Sequence, residues 1–236
     1  MTKICIIPAR GGSKRIPRKN IKYFCGKPII AYSIEAAKNS RIFDTIMVST
    51  DDEEISQIAK QYGAEVPFMR SEENSDDYSG TGDVVFEVLN QYSAIGKKFN
   101  IACCMYATTP FIKKEKIMEA YDLLNSQTFD AVFTVAKYGS PIWRSYKLVR
   151  NKGIKMNFPE NEAKRSQDLS DSYFDSGQFY FIKIEYFNLL SNKNVFGLNK
   201  GAIILDEMEV QDIDTIEDWK IAELKYELIK ANLKNK

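Results

Sequence analysis

Apolar residues follow two rhythms along this 236-residue chain: short, nearly unbroken runs, and longer stretches spaced three or four apart. The short runs are residues 3–9 (KICIIPA), 45–50 (TIMVST), 101–106 (IACCMY) and 131–135 (AVFTV). They predict strands covered on both faces, because a strand wet on one face would alternate. Between them, residues 28–39, 53–63, 83–92 and 114–125 predict helices. Pro28 lies near the first turn of one, and Asp51, Asp52, Glu53 and Glu54 open the next, with Gly63 as its stop. Residues 64–69 (AEVPFM) predict a third short strand, at an edge or strand end because Pro67 lacks an N–H. Such strand–loop–helix alternation predicts an α/β fold with a parallel sheet between helices and ligands at the C-terminal strand ends.

The rhythm breaks at about residues 138–178, where Pro141, Trp143, Tyr146, Phe158 and Pro159 surround a polar stretch. This segment is expected to leave the sheet as a hairpin or lobe within one domain spanning 1–236. Residues 177–184 (GQFYFIKI) and 201–205 predict strands that return to the sheet, and 218–235 predicts a closing amphipathic helix. No internal repeat interrupts the series.

Composition narrows the function. Hydrophobic residues make up 44% and charged residues 28%, enough for a core and a polar surface. No apolar run reaches the roughly 18 residues a membrane span needs, and the N-terminus lacks a signal-peptide pattern, so a cytoplasmic protein with no membrane partner is expected. The net charge of +1 argues against a nucleic-acid partner. Cys5, Cys25, Cys103 and Cys104 form no CxxC pair and read as reduced thiols. There is no histidine at all, which excludes Ser-His-Asp and Cys-His hydrolases and zincins. The charges are also sorted. Residues 1–34 carry eight bases (Lys3, Arg10, Lys14, Arg15, Arg18, Lys19, Lys22, Lys27) and no acid, whereas residues 206–218 (DEMEVQDIDTIED) carry seven acids and no base. One end suits a polyanion and the other a cation; a nucleoside triphosphate with its divalent metal needs both.

The basic end contains Pro8-Ala9-Arg10-Gly11-Gly12-Ser13-Lys14-Arg15-Ile16-Pro17-Arg18-Lys19-Asn20, directly after a strand. Paired glycines let backbone N–H groups approach a phosphate, and neighbouring cations neutralise it. The string is neither a Walker loop nor a dinucleotide fingerprint, so on glycines and charge alone a basic surface loop is the other reading. In the acidic end, Asp212 and Asp214 lie two apart on an extended stretch and point the same way, which suits a hard divalent cation. Asp214 with Glu217 also matches a capping box for the last helix, leaving Asp214 two roles. Arg70 and Asn74-Ser75-Asp76-Asp77-Tyr78-Ser79-Gly80-Thr81 read as a polar loop capping the next helix.

Taken whole, PARGGSKRIPRKNI, then GKPIIAYSI and VSTDDEEI, resembles the signature of the cytidylyltransferases that activate sialic-acid-like sugars (about PARGGSKGIPRKNI, GxPLIAxSI, VSTDDEEIA). The match is nearly contiguous over the first 55 residues and continues more weakly to the end of the chain. The resemblance implies a three-layer, Rossmann-like nucleotide-diphospho-sugar transferase fold, with CTP and a nonulosonic sugar acid as partners. It implies that Ala9, Arg10, Gly11, Gly12, Ser13, Lys14 and Asn20 hold the nucleotide, together with Arg70 and Ser79. Arg10, Lys14, Lys19 and Asp212 become the catalytic group, and Asp212 and Asp214 the ligands of Mg²⁺, for which Mn²⁺ can substitute.

For the acceptor, the family's RRQDLP and NGAIYI correspond to Arg165-Ser166-Gln167-Asp168-Leu169 and to the stretch Asp175-Ser176-Gly177-Gln178-Phe179-Tyr180, with Ser176 in place of the usual Asn. Where sialic-acid enzymes have LLQPTSPLR, this chain has Cys104-Met105-Tyr106-Ala107-Thr108-Thr109-Pro110-Phe111-Ile112. Tyr106, Thr108, Thr109, Arg165, Gln167, Gln178 and Tyr180 are therefore the expected sugar-binding residues. Tyr106 in place of glutamine, the DSG triplet and VQDIDTIEDW are similar to the pseudaminic-acid branch. N-acetylneuraminate and legionaminate are the alternative acceptors, and a non-catalytic nucleotide-binding module is the alternative of another class. The resemblance also implies a homodimer held by the 138–178 lobe, with Trp143, Tyr146 and Phe158 as interface anchors or local core.

Overall fold

The first strand, β1 (Lys3–Pro8), lies inside the sheet, and its Ile4 and Ile6 bury on one face while Cys5 and Ile7 bury on the other. This two-sided burial is why the run is apolar throughout. The computed structural model describes residues 1–236 except 77, 78, 127, 235 and 236. Asp77 and Tyr78 of the expected polar loop, and Asn235 of the expected last helix, lie outside the described residues.

In chain order β1 is followed by a small ribbon, β2 (Tyr23–Phe24) and β3 (Lys27–Pro28), then α1 (Ile29–Ser40), β4 (Thr45–Ser49), α2 (Glu53–Gln61), α3 (Thr81–Ala94), β5 (Ile101–Met105), α4 (Lys114–Ser126) and β6 (Ala131–Lys137). A hairpin of β7 (Tyr146–Leu148) and β8 (Ile154–Met156) comes next, then β9 (Tyr173–Lys183), α5 (Ile184–Leu189), β10 (Lys200–Leu205) and α6 (Ile216–Lys234). The central sheet has the order β10-β6-β9-β5-β1-β4. β1 runs parallel to β4 and β5, β10 runs parallel to β6, and only β9 is antiparallel to its neighbours. Residues of α1, α2 and α4 pack on one face and residues of α3 and α5 on the other. The three-layer, mostly parallel α/β architecture is as expected from the sequence.

Three local expectations are corrected. Residues 64–69 form no strand: β4 gains only the bridge Met47–Glu65, because Pro67 has no N–H to extend the pairing. The sheet is rejoined at Tyr173, before Gly177, because β9 carries a bulge. Its pairing with β6 passes from Phe133–Tyr180 to Val135–Asp175, and Gly177 sits in the bulge at φ +63°. The capping box of α6 is Thr215 with Asp218, not Asp214 with Glu217. Thr215 N–H donates to Asp218 Oδ2 at 2.8 Å and Asp218 N–H donates to Thr215 Oγ1 at 3.2 Å.

The β7–β8 hairpin stands apart from the sheet with Leu148 82% exposed and Ile154 62% exposed. Next to the hairpin in sequence, Trp143 packs edge-on against Phe158 and donates its indole N–H to the Ser170 carbonyl; both rings are half-buried, while Tyr146 is exposed. Among the described residues no helix is long and apolar enough to cross a membrane. Cys5, Cys103 and Cys104 are buried free thiols and Cys25 is half-buried.

Candidate active site

The parallel strands β1, β4 and β5 all end at one edge of the sheet, and each is followed by a loop rich in functional groups. After β1 comes the basic loop, after β4 the pair Asp51 and Asp52, and after β5 the Tyr106–Thr109 segment. Because β9 runs the other way, its beginning, with Asp175, reaches this same edge. The stretch after β10 brings Asp212 and Asp214.

These loops enclose a cavity of about 540 Å³. Of its described lining residues, five are cations (Arg10, Lys14, Arg15, Lys19 and Arg70) and one is an acid, Asp76. Ser13, Asn20, Ser79, Tyr106 and Thr108 also line it. A second cavity of about 230 Å³ adjoins it, sharing Tyr106 and Thr108 and reaching Thr109, Asp175 and Asp212.

The basic loop is braced from the end of β4. Gly11 N–H donates to Asp51 Oδ1 at 2.8 Å, and a Cβ on Gly11 would stand 2.8 Å from Asp52 Oδ2. Asp52 caps α2 through Ile55 N–H at 3.0 Å and takes a two-pronged ion pair from Arg18. Its hydrogen bond to Arg18 chiefly holds the Asp52 pKa below the usual carboxylate range. Asn20 donates to the Arg10 carbonyl at 2.9 Å, the Ser13 hydroxyl donates to the Ile16 carbonyl at 2.6 Å, and Arg10 donates to the Asp76 carbonyl at 2.6 Å. Ser79 is engaged within its own loop, its N–H donating to Asp76 Oδ1 at 2.7 Å.

The two ends of the chain meet here. Arg15 Nη2 lies 2.6 Å from Asp214 Oδ1, and Lys19 Nζ donates to the Ile213 carbonyl at 2.7 Å while standing 3.7 Å from Asp214 Oδ1. Burial lowers the Lys19 pKa, with the charge of Asp214 opposing it. The pKa of Asp212 is raised, first by the protein around it and then by the charge of Asp214. With Asp218 and Thr215 carrying the helix cap, the carboxylate of Asp214 is left to this cluster.

Other residues fall differently. Ala9 is fully buried, Gly11 spends its N–H on Asp51, and neither glycine lines the cavity. Arg70 lines it, but its Nε donates to Ser49 Oγ at 3.0 Å and its Nη2 to the Ser49 carbonyl, and burial lowers its pKa. Thr109 is buried and donates to the Tyr106 carbonyl at 2.7 Å. Gln178 is 3% exposed and donates to the Glu209 carbonyl at 2.5 Å, so it ties β9 to the acidic stretch rather than facing a ligand. Tyr180 is buried, its hydroxyl donating to Asp175 Oδ2 at 2.8 Å. Arg165 is exposed and paired with Asp168, and Gln167 lines a separate hollow with Tyr138 and Ser170. Neither reaches the main cavity. Sequence reasoning assigned no site role to Arg15, Asp51 or Thr81, and used Asp175 only as part of the DSG triplet. Arg15 stood among eight similar cations, and the bulge that presents Asp175 has no local signature beyond its glycine.

Comparison with known proteins adds three findings. The family described as Cytidylyltransferase matches residues 4–232. The chain is 40% identical over 228 residues to the pseudaminic acid cytidylyltransferase of Campylobacter jejuni subsp. jejuni serotype O:2, covering 97% of each chain. It is 35% identical over 219 residues to N-acylneuraminate cytidylyltransferase A of Danio rerio, covering 92% of this chain and 49% of that one. In fold it is similar to the CMP:2-keto-3-deoxy-manno-octonic acid synthetase complexed with CTP, with a TM-score of 0.70 at 16% identity, covering 98% of this chain and 100% of that one.

Proposed function

The chain belongs to the cytidylyltransferase family, and from that premise we propose that it transfers CMP from CTP to the anomeric hydroxyl of pseudaminic acid, releasing pyrophosphate. One observation carries this reading: the cationic loop after β1 and the Asp212–Asp214 pair meet, through Arg15 and Lys19, at the rim of one cavity. A triphosphate carries about four negative charges, and each cation about 4 Å away contributes on the order of 4 kcal/mol at an effective dielectric near 20. Arg10, Lys14, Arg15 and Lys19 are suited to hold it and to stabilise charge on the departing pyrophosphate.

The donor set at Asp212 and Asp214 fits Mg²⁺. Two carboxylates from one extended stretch are hard oxygen ligands, and among the described residues no third acid, cysteine or histidine joins them in a closed cage. A Mg²⁺ held by Asp212 and Asp214 would be left open to water and phosphate oxygens, which suits its preference for few protein ligands. The pKa of Asp212 is raised first by burial and then by the charge of Asp214, and a divalent cation would offset both. When bound, Mg²⁺ (or Mn²⁺) polarises the phosphoryl oxygens. Proton removal from the sugar hydroxyl falls to an oxygen base, since the chain has no histidine.

Pseudaminic acid is favoured over N-acetylneuraminate and legionaminate by the higher identity to its cytidylyltransferase and by Tyr106, an aromatic wall shared by both cavities. The enzyme is assigned to the cytoplasm, where CTP is made, and to a homodimer in which the exposed β7–β8 hairpin meets a second copy. Arg165 and Gln167, remote from both cavities within one chain, would then act only in that assembly. The test is a cytidylyltransfer assay over a panel of nonulosonic acids with Mg²⁺. Pyrophosphate release with a CMP-sugar of the right mass supports the reading, and CTP binding without turnover on any acceptor overturns it in favour of a non-catalytic module.

A further inference from the structure

The two adjoining cavities differ in charge. The larger carries five cations, whereas the described residues lining the smaller include two carboxylates, Asp175 and Asp212, and neither lysine nor arginine. The metal proposal accounts for Asp212 but leaves Asp175 unexplained.

Asp175 is held in place by the bulge of β9. Its Oδ1 accepts from Gly177 N–H at 2.9 Å and its Oδ2 from the Tyr180 hydroxyl at 2.8 Å. Tyr180 is 2% exposed and meets Tyr106 edge-on with ring centroids 5.7 Å apart. The hydroxyl of Tyr106 is in turn bonded to Thr81 Oγ1 at 2.6 Å. Each carboxylate oxygen still has acceptor capacity, and Asp175 is exposed toward the cavity. A fixed carboxylate acceptor with no lysine or arginine among the described residues lining its cavity selects a donor and disfavours an anion beside it.

We propose that Asp175 is a specificity-determining residue for the acceptor sugar. It accepts a hydrogen bond from an amide N–H of the sugar, and its charge disfavours the sugar's own carboxylate beside it, leaving that carboxylate to the cations of the larger cavity. The inference rests on the cytidylyl-transfer reading and names the part of the sugar that each cavity takes.

Steady-state kinetics with CTP, Mg²⁺ and a 5,7-diacylamino nonulosonic acid test it. Asp175→Asn, nearly isosteric, is expected to raise the KM for the sugar about 10- to 100-fold, the usual loss for a hydrogen bond to a charged group. The KM for CTP stays within about twofold. Tyr180→Phe, which only loosens the carboxylate, raises the sugar KM by less. An unchanged sugar KM, or equal shifts for sugar and CTP, overturns the inference while the wild type remains active. A wild type that transfers CMP to no sugar acid overturns the functional reading and this inference with it.

Discussion

Lys19 Nζ donates to the carbonyl oxygen of Ile213, the residue between the two aspartates, at 2.7 Å. A loop from the front of the chain is thus pinned to the segment that carries the acids, and its ammonium is already placed beside Asp214 before any ligand binds. Such placement lowers the reorganisation needed when charge develops on a phosphate.

The aspartate pair is expected to separate chemistry from folding. Asp212→Ala should lower turnover by about 10³-fold or more, the equivalent of several kcal/mol of lost metal-ion stabilisation. Far-UV circular dichroism and the melting temperature should stay near wild type, since Asp212 is exposed and caps no helix. Near-wild-type turnover in Mg²⁺ rejects the metal assignment.

Arg15 occupies the carboxylate that a divalent cation would use. Arg15→Gln should therefore tighten Mn²⁺ binding without nucleotide, read by electron paramagnetic resonance, while raising the KM for CTP. Weaker Mn²⁺ binding in the variant would show that Arg15 orders the site rather than competes for it.

The helix cap offers a contrast between neighbours. Asp218→Ala removes the partner of Thr215 and should cost about 1 kcal/mol, or roughly 2–4 °C in Tm for a chain of this size. Asp214→Ala should cost turnover and little stability. The opposite pattern restores the capping role to Asp214.

Asp52 sets a pH dependence. Its folded pKa lies below the unfolded value of about 3.9, so its contribution is complete above that value and is lost as pH falls through the folded pKa. The Tm gap between wild type and Asp52→Ala should be widest near pH 6 and should close as the solution is taken toward pH 2. A gap independent of pH assigns the effect to packing.

The hairpin is tested by charge. Leu148→Asp with Ile154→Asp should convert a sedimenting dimer to monomer without lowering the melting temperature, because both residues are exposed in the single chain. A wild-type monomer at micromolar concentration removes the dimer proposal.

The sequence made the strands legible because a doubly covered strand must be apolar throughout, and β1, β4, β5 and β6 bury both faces. The basic loop and the aspartate pair were legible for their charge. What stayed hidden was long-range or depended on register. Nothing local tells which of eight cations meets an acid 199 residues away, as Arg15 does. Asp214–Glu217 and Thr215–Asp218 fit the same spacing, and only the backbone chooses between them. Gln178 looked polar enough for a ligand, yet its amide is committed to the Glu209 carbonyl.

The contact of Gly11 with Asp51 and Asp52 has a mechanical consequence. The loop proposed to seat the triphosphate and the first turn of α2 share the carboxylate of Asp52, through Arg18 on one side and Ile55 N–H on the other, so the two are mechanically coupled. Damage to the start of α2 should therefore be felt as weakened nucleotide affinity before it is felt as unfolding.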